Sequence, residues 1–438
     1  MQHELNTDWI RYIFTSMDDA VCMTEKNGEV IYANPSAEKL FGLEFRDGMK
    51  IWEAIPYVEG NDELIQLFID GVLEKKKSIR SLVDYVNNEG KVFNLHVSLT
   101  CETGESEAFL IVISDLTDLK KVHSAFERYT SPEIAKYVLA TPEGEKQGGE
   151  ARDVTILMSD LRGFTALSTQ LSSAELIVVL NHYFASMSEI IARCKGTVIE
   201  FLGDGIFVVF GAPADVPDHA EAAVRCAIDM QNAMEEVNQW NRKMNYPVLE
   251  MGIGINSGTA VVGNIGSENK MKYGCMGETV NLAGRTESLT VGGQVLITER
   301  TAKRITEKLE IAGERSFMPK GIDHEIKIYS VSGIGLDHFL WKTDESVNWV
   351  KIPANRDIGF HILREKTVEP ELYKGQLLQL SEDEKIGLLA TETPLVPMMN
   401  LMFRIGSHDI YAKIQEKTEE GYKLRFTPKS VSILELLQ

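Results

Sequence analysis

Cysteine is scarce in this chain and never paired in sequence. Five residues, Cys22, Cys101, Cys194, Cys226 and Cys275, are spread over 438 positions without a Cys-x-x-Cys among them. That excludes a disulfide framework and a zinc finger or ribbon as the organising feature, and a reducing, cytoplasmic setting is expected. Long apolar runs are missing too. No uncharged stretch approaches the ~18 residues needed to cross a bilayer, and the opening Met1-Gln2-His3-Glu4-Leu5 lacks the basic start of a signal peptide. Membrane insertion is therefore not expected. Basic clusters are equally thin: 45 Lys and Arg face 65 Asp and Glu, for a formal net charge of −20. Runs such as Lys75-Lys76-Lys77 are too short for a nucleic-acid surface, which needs clustered cations to replace phosphate counterions. No internal repeat stands out. What is present is length and apolar content, 438 residues of which 44% are hydrophobic, enough for about three domains.

The first 118 residues open with an amphipathic helix (Trp9, Ile10, Ile13, Phe14). Short strands follow at Ala20-Val21-Cys22-Met23-Thr24 and Val30-Ile31-Tyr32-Ala33, and the turn Lys26-Asn27-Gly28 makes them a hairpin. Later strands are predicted at 92–97 and 108–113, ending in Asp115-Leu116-Thr117-Asp118. With the Asn34-Pro35-Ser36-Ala37 segment, this order resembles a PAS sensor domain over 1–118. Cys22 and His96 are read as ordinary strand residues, because neither sits in a flavin or haem signature. The ligand of such a sensor stays unknown.

Residues 119–150 read as a helical signalling linker. Ser131 as N-cap, Pro132 at the first helical position and Glu133 in the first turn start a second helix after a break. The element Phe126-x-x-Tyr129-x-Ser131-Pro132 spans the break between the two helices, and Thr141 to Glu150 is polar linker. Beyond it, a strand over 154–158 is followed by a helix over about 173–193. A hairpin around Gly203-Asp204-Gly205, a helix over about 218–241 and two strands (250–256 and 259–264) complete an α+β sandwich.

Two aspartates stand where an apolar strand gives way to a glycine turn: Asp160 in Met158-Ser159-Asp160-Leu161-Arg162-Gly163-Phe164, and Asp204 in Glu200-Phe201-Leu202-Gly203-Asp204-Gly205. Carboxylate oxygens so placed suit a pair of Mg²⁺ or Mn²⁺ ions. Taken singly, Asp204 is hairpin-turn chemistry and Asp160 a cap. A downstream segment, Gly277-Glu278-Thr279-Val280-Asn281-Leu282-Ala283-Gly284-Arg285, changes their weight, because Asn281 and Arg285 four apart share one helix face. The glycine-rich run 252–258 lacks the Gly-x4-Gly-Lys-Ser/Thr phosphate loop and reads as strand and turn glycine. Over 151–333 these segments resemble the catalytic domain of class III nucleotidyl cyclases, with a ferredoxin-like α/β sandwich. The resemblance implies that Asp160 and Asp204 bind two divalent ions on a nucleoside triphosphate. It further implies that Asn281 orients the ribose, Arg285 stabilises charge at the α-phosphate, and Lys320, in Pro319-Lys320-Gly321, holds the terminal phosphates. The implied reaction is attack of the 3′ hydroxyl on the α-phosphorus with loss of pyrophosphate.

In that family the residue three before the second glycine turn reads the base, and here it is Glu200. Guanine presents N1–H and its 2-amino group as donors, which a carboxylate accepts; adenine presents an N1 acceptor, which a carboxylate repels. The second selectivity position is Gly274, where guanylyl members often have Cys and adenylyl members Asp or Thr. GTP is thus the expected substrate, with ATP as the alternative. Because the family builds its sites from two domains and this chain carries both residue sets once, a homodimer is implied. A guanylyl cyclase regulated by its PAS domain is the main reading; the others are an adenylyl cyclase and a non-catalytic nucleotide-binding scaffold. Residues 335–438 are dominated by short strands spaced as in a small β-barrel. The strand pattern resembles the PilZ family, members of which bind cyclic di-GMP, but the arginine pair and the Asp/Asn-x-Ser-x-x-Gly motif are not cleanly present around Gln379-Leu380-Ser381-Glu382-Asp383. An interaction module and a nucleotide receptor both stay open for it.

Overall fold

The structure is a computed structural model that describes residues 7–75, 78–101, 108–144, 146–168, 170–319, 323–340, 348–364, 367–397, 399–406, 408–427 and 432–437. Two compact units divide the chain, Met1–Tyr129 and Thr130–Gln438.

The first unit is a five-stranded antiparallel sheet in the order Val30–Ala33, Ala20–Glu25, Ala108–Asp115, Val92–Cys101, Ile79–Val86. Alternation along Val92–Cys101 sends Leu95, Val97 and Leu99 inward, where they meet Phe41, Leu64 and Phe68 of two short helices. Asn34 explains the Asn-Pro-Ser-Ala segment. It is fully buried, its Oδ1 accepts from Val21 N and Ala37 N at 2.9 Å each, and its Nδ2 donates to Phe14 O at 3.0 Å and Asp19 O at 2.9 Å. One side chain thus satisfies four backbone groups at a corner where helix and sheet meet. Burial pushes the Cys22 thiol up to about 12, which makes it a core residue.

In the second unit a seven-strand path runs Leu309–Phe317, Ile326–Ile334, Val295–Thr298, Met251–Ser267, Gly148–Leu161, Gly205–Phe210, Thr197–Leu202. The helices Ser173–Arg193 and His219–Lys243 cover one face, burying Tyr183, Met187 and Val224 against Leu157, Val208 and Ile255. The first of them starts with a capping box from Ser172 and Glu175. On the opposite face Val154, Ile156, Phe207 and Val209 pack with Ile134 and Ala283, from the helices Pro132–Ala140 and Glu278–Ser288. The hairpin strand Lys270–Met276 pairs with Met251–Ser267 and adds Tyr273 and Cys275 to that layer.

Two expectations are corrected here. The strands predicted at 250–256 and 259–264 are one continuous strand, Met251–Ser267. Gly258 makes no turn: a Cβ there would stand 2.9 Å from Thr279 Oγ1, so the glycine admits the neighbouring helix. The polar stretch 141–150 is held in place, because Asn264 Nδ2 donates to Gly144 O at 2.6 Å and Lys146 O at 3.1 Å and Gly148–Glu150 already pair with Val262–Asn264.

The last segment forms a closed six-stranded barrel. Its order is Trp349–Arg364, Tyr373–Ser381, Ile386–Ala390, Tyr422–Phe426, His408–Lys417, Asn400–Ile405, and the circle closes where Phe360 pairs with Phe403 and Ile362 with Leu401. The closing strand was not foreseen. Pro353 interrupts its pattern, and its pairing register shifts between Lys351 and Arg356.

Candidate active site

The long strand Gly148–Leu161 and the hairpin Thr197–Leu202/Gly205–Phe210 lie side by side, Ser159 opposite Ile206. Asp160, next to last on its strand, therefore lies beside the hairpin tip that carries Asp204. Gly203 turns that tip with φ at 69°, and a Cβ on Gly205 would stand 2.7 Å from Ser159 O, so both glycines are steric requirements. Leu161 N donates to Asp204 Oδ2 at 3.2 Å. Burial, and next the charge of Asp160, push the Asp204 carboxyl up to about 6. Two carboxylates crowded into a half-buried corner with only hard oxygen donors match what Mg²⁺ or Mn²⁺ requires. Among the described residues no group of three or more His, Cys, Asp or Glu gathers for a metal, so the two aspartates would supply part of a coordination shell that phosphate and water complete.

Arg162 binds this corner to the rest of the fold. Its Nη2 donates to Asp160 Oδ2 at 2.7 Å and also meets Glu287 Oε1 near the end of helix Glu278–Ser288. Burial raises the Glu287 carboxyl despite Arg162. The helix end reaches the sheet because glycines clear the way: a Cβ on Gly252 would lie 1.9 Å from Thr290 Oγ1, and one on Gly254 2.1 Å from Glu287 N. Asn281 and Arg285 ride on this helix, Asn281 exposed and Arg285 partly so.

Glu200 lies four residues before Asp204 on the hairpin, just after a register shift that re-aims the strand. Its Oε2 receives an ion pair from Lys272 Nζ at 2.5 Å. Gly274, two residues further along Lys270–Met276, faces the same side, and a Cβ there would meet only Ile265 Cδ1 at 3.2 Å. The structure thus gathers Asp160 with Asp204, and Glu200 with Lys272 and Gly274. Lys320 lies outside the described residues. Lys272, Arg162 and Glu287 were not singled out in the sequence, since each works through a partner distant in the chain.

No helix among the described residues is long and apolar enough to cross a membrane. Residues 147–333 match the family profile described as "Adenylate and Guanylate cyclase catalytic domain", and residues 8–74 match a PAS domain. Among curated proteins, "Adenylate cyclase 1" of Rhizobium meliloti (strain 1021) is 33% identical over 192 residues, 43% of this chain and 29% of that protein. "Adenylate cyclase" of Anabaena cylindrica is 29% identical over 274 residues, 60% of this chain and 51% of its own length. The chain thus spans about half or less of the curated relatives it matches. Among solved structures, the guanylyl cyclase Cya2 is 46% identical, covering 44% of this chain and 100% of that one at a TM-score of 0.43. The adenylyl cyclase CyaB from P. aeruginosa is 35% identical, covering 42% and 95% at a TM-score of 0.40. This chain therefore carries a class III adenylate and guanylate cyclase catalytic domain, with a PAS domain N-terminal to it.

Proposed function

We propose that the protein is a guanylyl cyclase that converts GTP to 3′,5′-cyclic GMP and pyrophosphate as a homodimer under control of its PAS domain. In this reading 1–118 sense, 119–150 relay, 151–333 catalyse and 335–438 form an accessory barrel. The cytoplasm, where GTP is available, is the proposed setting.

The observation that carries the choice of nucleotide is the Glu200–Lys272 pair beside the side-chain-free Gly274. Glu200 accepts from N1–H and the 2-amino group of guanine, and the ammonium of Lys272 is a donor of the kind that guanine O6 needs. One face thus offers acceptor and donor in the order of guanine's edge, and the space at Gly274 leaves room for O6. Asp160 and Asp204 are assigned to two divalent ions, which would lower the pKa of the 3′ hydroxyl and steady the triphosphate charge. Asn281 holds the ribose so that its 3′ oxygen faces the α-phosphorus, Arg285 stabilises the negative charge that grows there, and Lys320 binds the terminal phosphates.

Purified full-length protein incubated with Mn²⁺ and either GTP or ATP, with the cyclic product identified by mass, tests this reading. Cyclic GMP is the expected main product, and Lys272→Met should raise KM for GTP by about 10-fold, the loss of one charge-assisted hydrogen bond. Predominant cyclic AMP would reassign Lys272 as a donor to adenine N1 and make the chain an adenylyl cyclase. Nucleotide binding without cyclic product would leave the scaffold reading.

A further inference from the structure

The catalytic domain and the barrel share one buried lysine. Lys413 belongs to the barrel strand His408–Lys417, yet its Nζ donates to Ser288 O and Thr290 O of the catalytic domain, each at 2.8 Å. Only 6% of the residue is exposed. Those carbonyls stand where the helix Glu278–Ser288 ends, and terminal carbonyls have no partner inside their own helix. A cation there also meets the negative end of the helix dipole.

From this contact a continuous chain of bonds leads to the aspartate pair. Ser288 and Thr290 flank the end of the helix next to Glu287, Glu287 meets Arg162, and Arg162 donates to Asp160 Oδ2 at 2.7 Å. A second path converges on the same arginine. Barrel residues Lys385 and Arg425 approach Glu250 Oε1 at 3.4 and 3.5 Å, and the Glu250 carbonyl accepts from Arg162 N at 2.7 Å. Burying an ammonium is costly unless its hydrogen bonds are well made, so a merely adhesive contact between two domains would be better served by apolar side chains.

We propose that Lys413 is a positioning residue for the cyclase reaction, through which the barrel fixes the helix bearing Asn281 and Arg285 and the Asp160 carboxylate. The inference rests on the cyclase reading above. It makes the barrel part of the catalytic apparatus: a partner that tilts the barrel would change turnover while leaving nucleotide affinity largely intact.

The test uses full-length wild type, Lys413→Met and Lys413→Arg, with Mn²⁺–GTP kinetics and hydrogen exchange of the backbone amides. Lys413→Met should lower kcat by about 10-fold while KM moves less than about 2-fold, the signature of an interaction felt in the transition state. Lys413→Arg should recover part of kcat. Exchange should quicken in 278–290 of Lys413→Met while the barrel strands stay protected. An unchanged kcat overturns the proposal, as does a loss that Lys413→Arg does not relieve and that comes with general loss of protection. The exchange comparison stands by itself: with a wild type that makes no cyclic nucleotide the cyclase reading fails, while unaltered exchange in 278–290 defeats the positioning role.

Discussion

At the scale of single residues, Asp204 carries the sharpest conflict between stability and function. Its carboxyl is raised to about 6, by burial first and by Asp160 next. A folded-state pKa above the unfolded one means that stability is lost as pH rises through the interval from the ordinary carboxylate value to about 6. At pH 7.5 the full cost applies unless a cation neutralises it. Asp204→Asn should therefore raise the metal-free unfolding midpoint at pH 7.5 and reduce cyclic nucleotide formation by at least about 100-fold. Added Mn²⁺ should raise the midpoint of wild type and leave that of the variant unchanged, as linkage of binding to the folded state requires. A variant no more stable than wild type without metal would refute the crowding argument. The juxtaposition of the aspartates was legible because each sits in a local motif, an apolar strand giving way to a glycine turn. Lys272 was not legible: its meaning comes from Glu200, 72 positions earlier, and only sheet pairing joins them. Arg162 and Glu287, 125 positions apart, are the same case.

At the scale of elements, hydrophobic period revealed the helices well, and the helix over 173–193 was read in full because its apolar stripe is regular. Glycine misled where it served packing. Gly258 looked like a strand break, whereas it and Gly252 and Gly254 clear one long strand for the helix Glu278–Ser288. That seated helix has a titratable anchor. Burial first, and then the Arg162 guanidinium, push Lys413 down to about 7, with Arg315 adding to the depression and Glu287 opposing it. Between about 7 and the ordinary lysine value the unfolded chain binds more protons than the folded one, so this group adds stability as pH rises through that window and withdraws it below. The unfolding midpoint of wild type minus that of Lys413→Met should accordingly increase from pH 7 to pH 10 (window from the same shift). A difference that stays flat would mean that the ammonium is not desolvated.

At the scale of the whole molecule, the proposed homodimer is supported by residues that a single chain leaves uncovered. Phe201 and Leu202 beside the Asp204 tip and Val261, Met271 and Met276 around the Gly274 hairpin are all more than 40% exposed, an apolar surface that a second copy would cover. If each site takes its aspartates from one chain and Asn281 with Arg285 from the other, two inactive variants can rescue each other. Mixing Asp204→Ala with Asn281→Ala should restore about a quarter of wild-type activity, since about half the dimers are hybrids and each hybrid keeps one intact site. Mixtures that remain inactive would place the whole site within one chain. The barrel's closure was the least legible feature, because its closing strand is irregular and finds its partners by position in space. That closure also sets how the barrel can be addressed. The strand Trp349–Arg364 meets Asn400–Ile405 only over Phe360–Leu363, so among the described residues the far side of 349–359 has no partner strand, and that stretch is the edge to which an extended peptide would add itself.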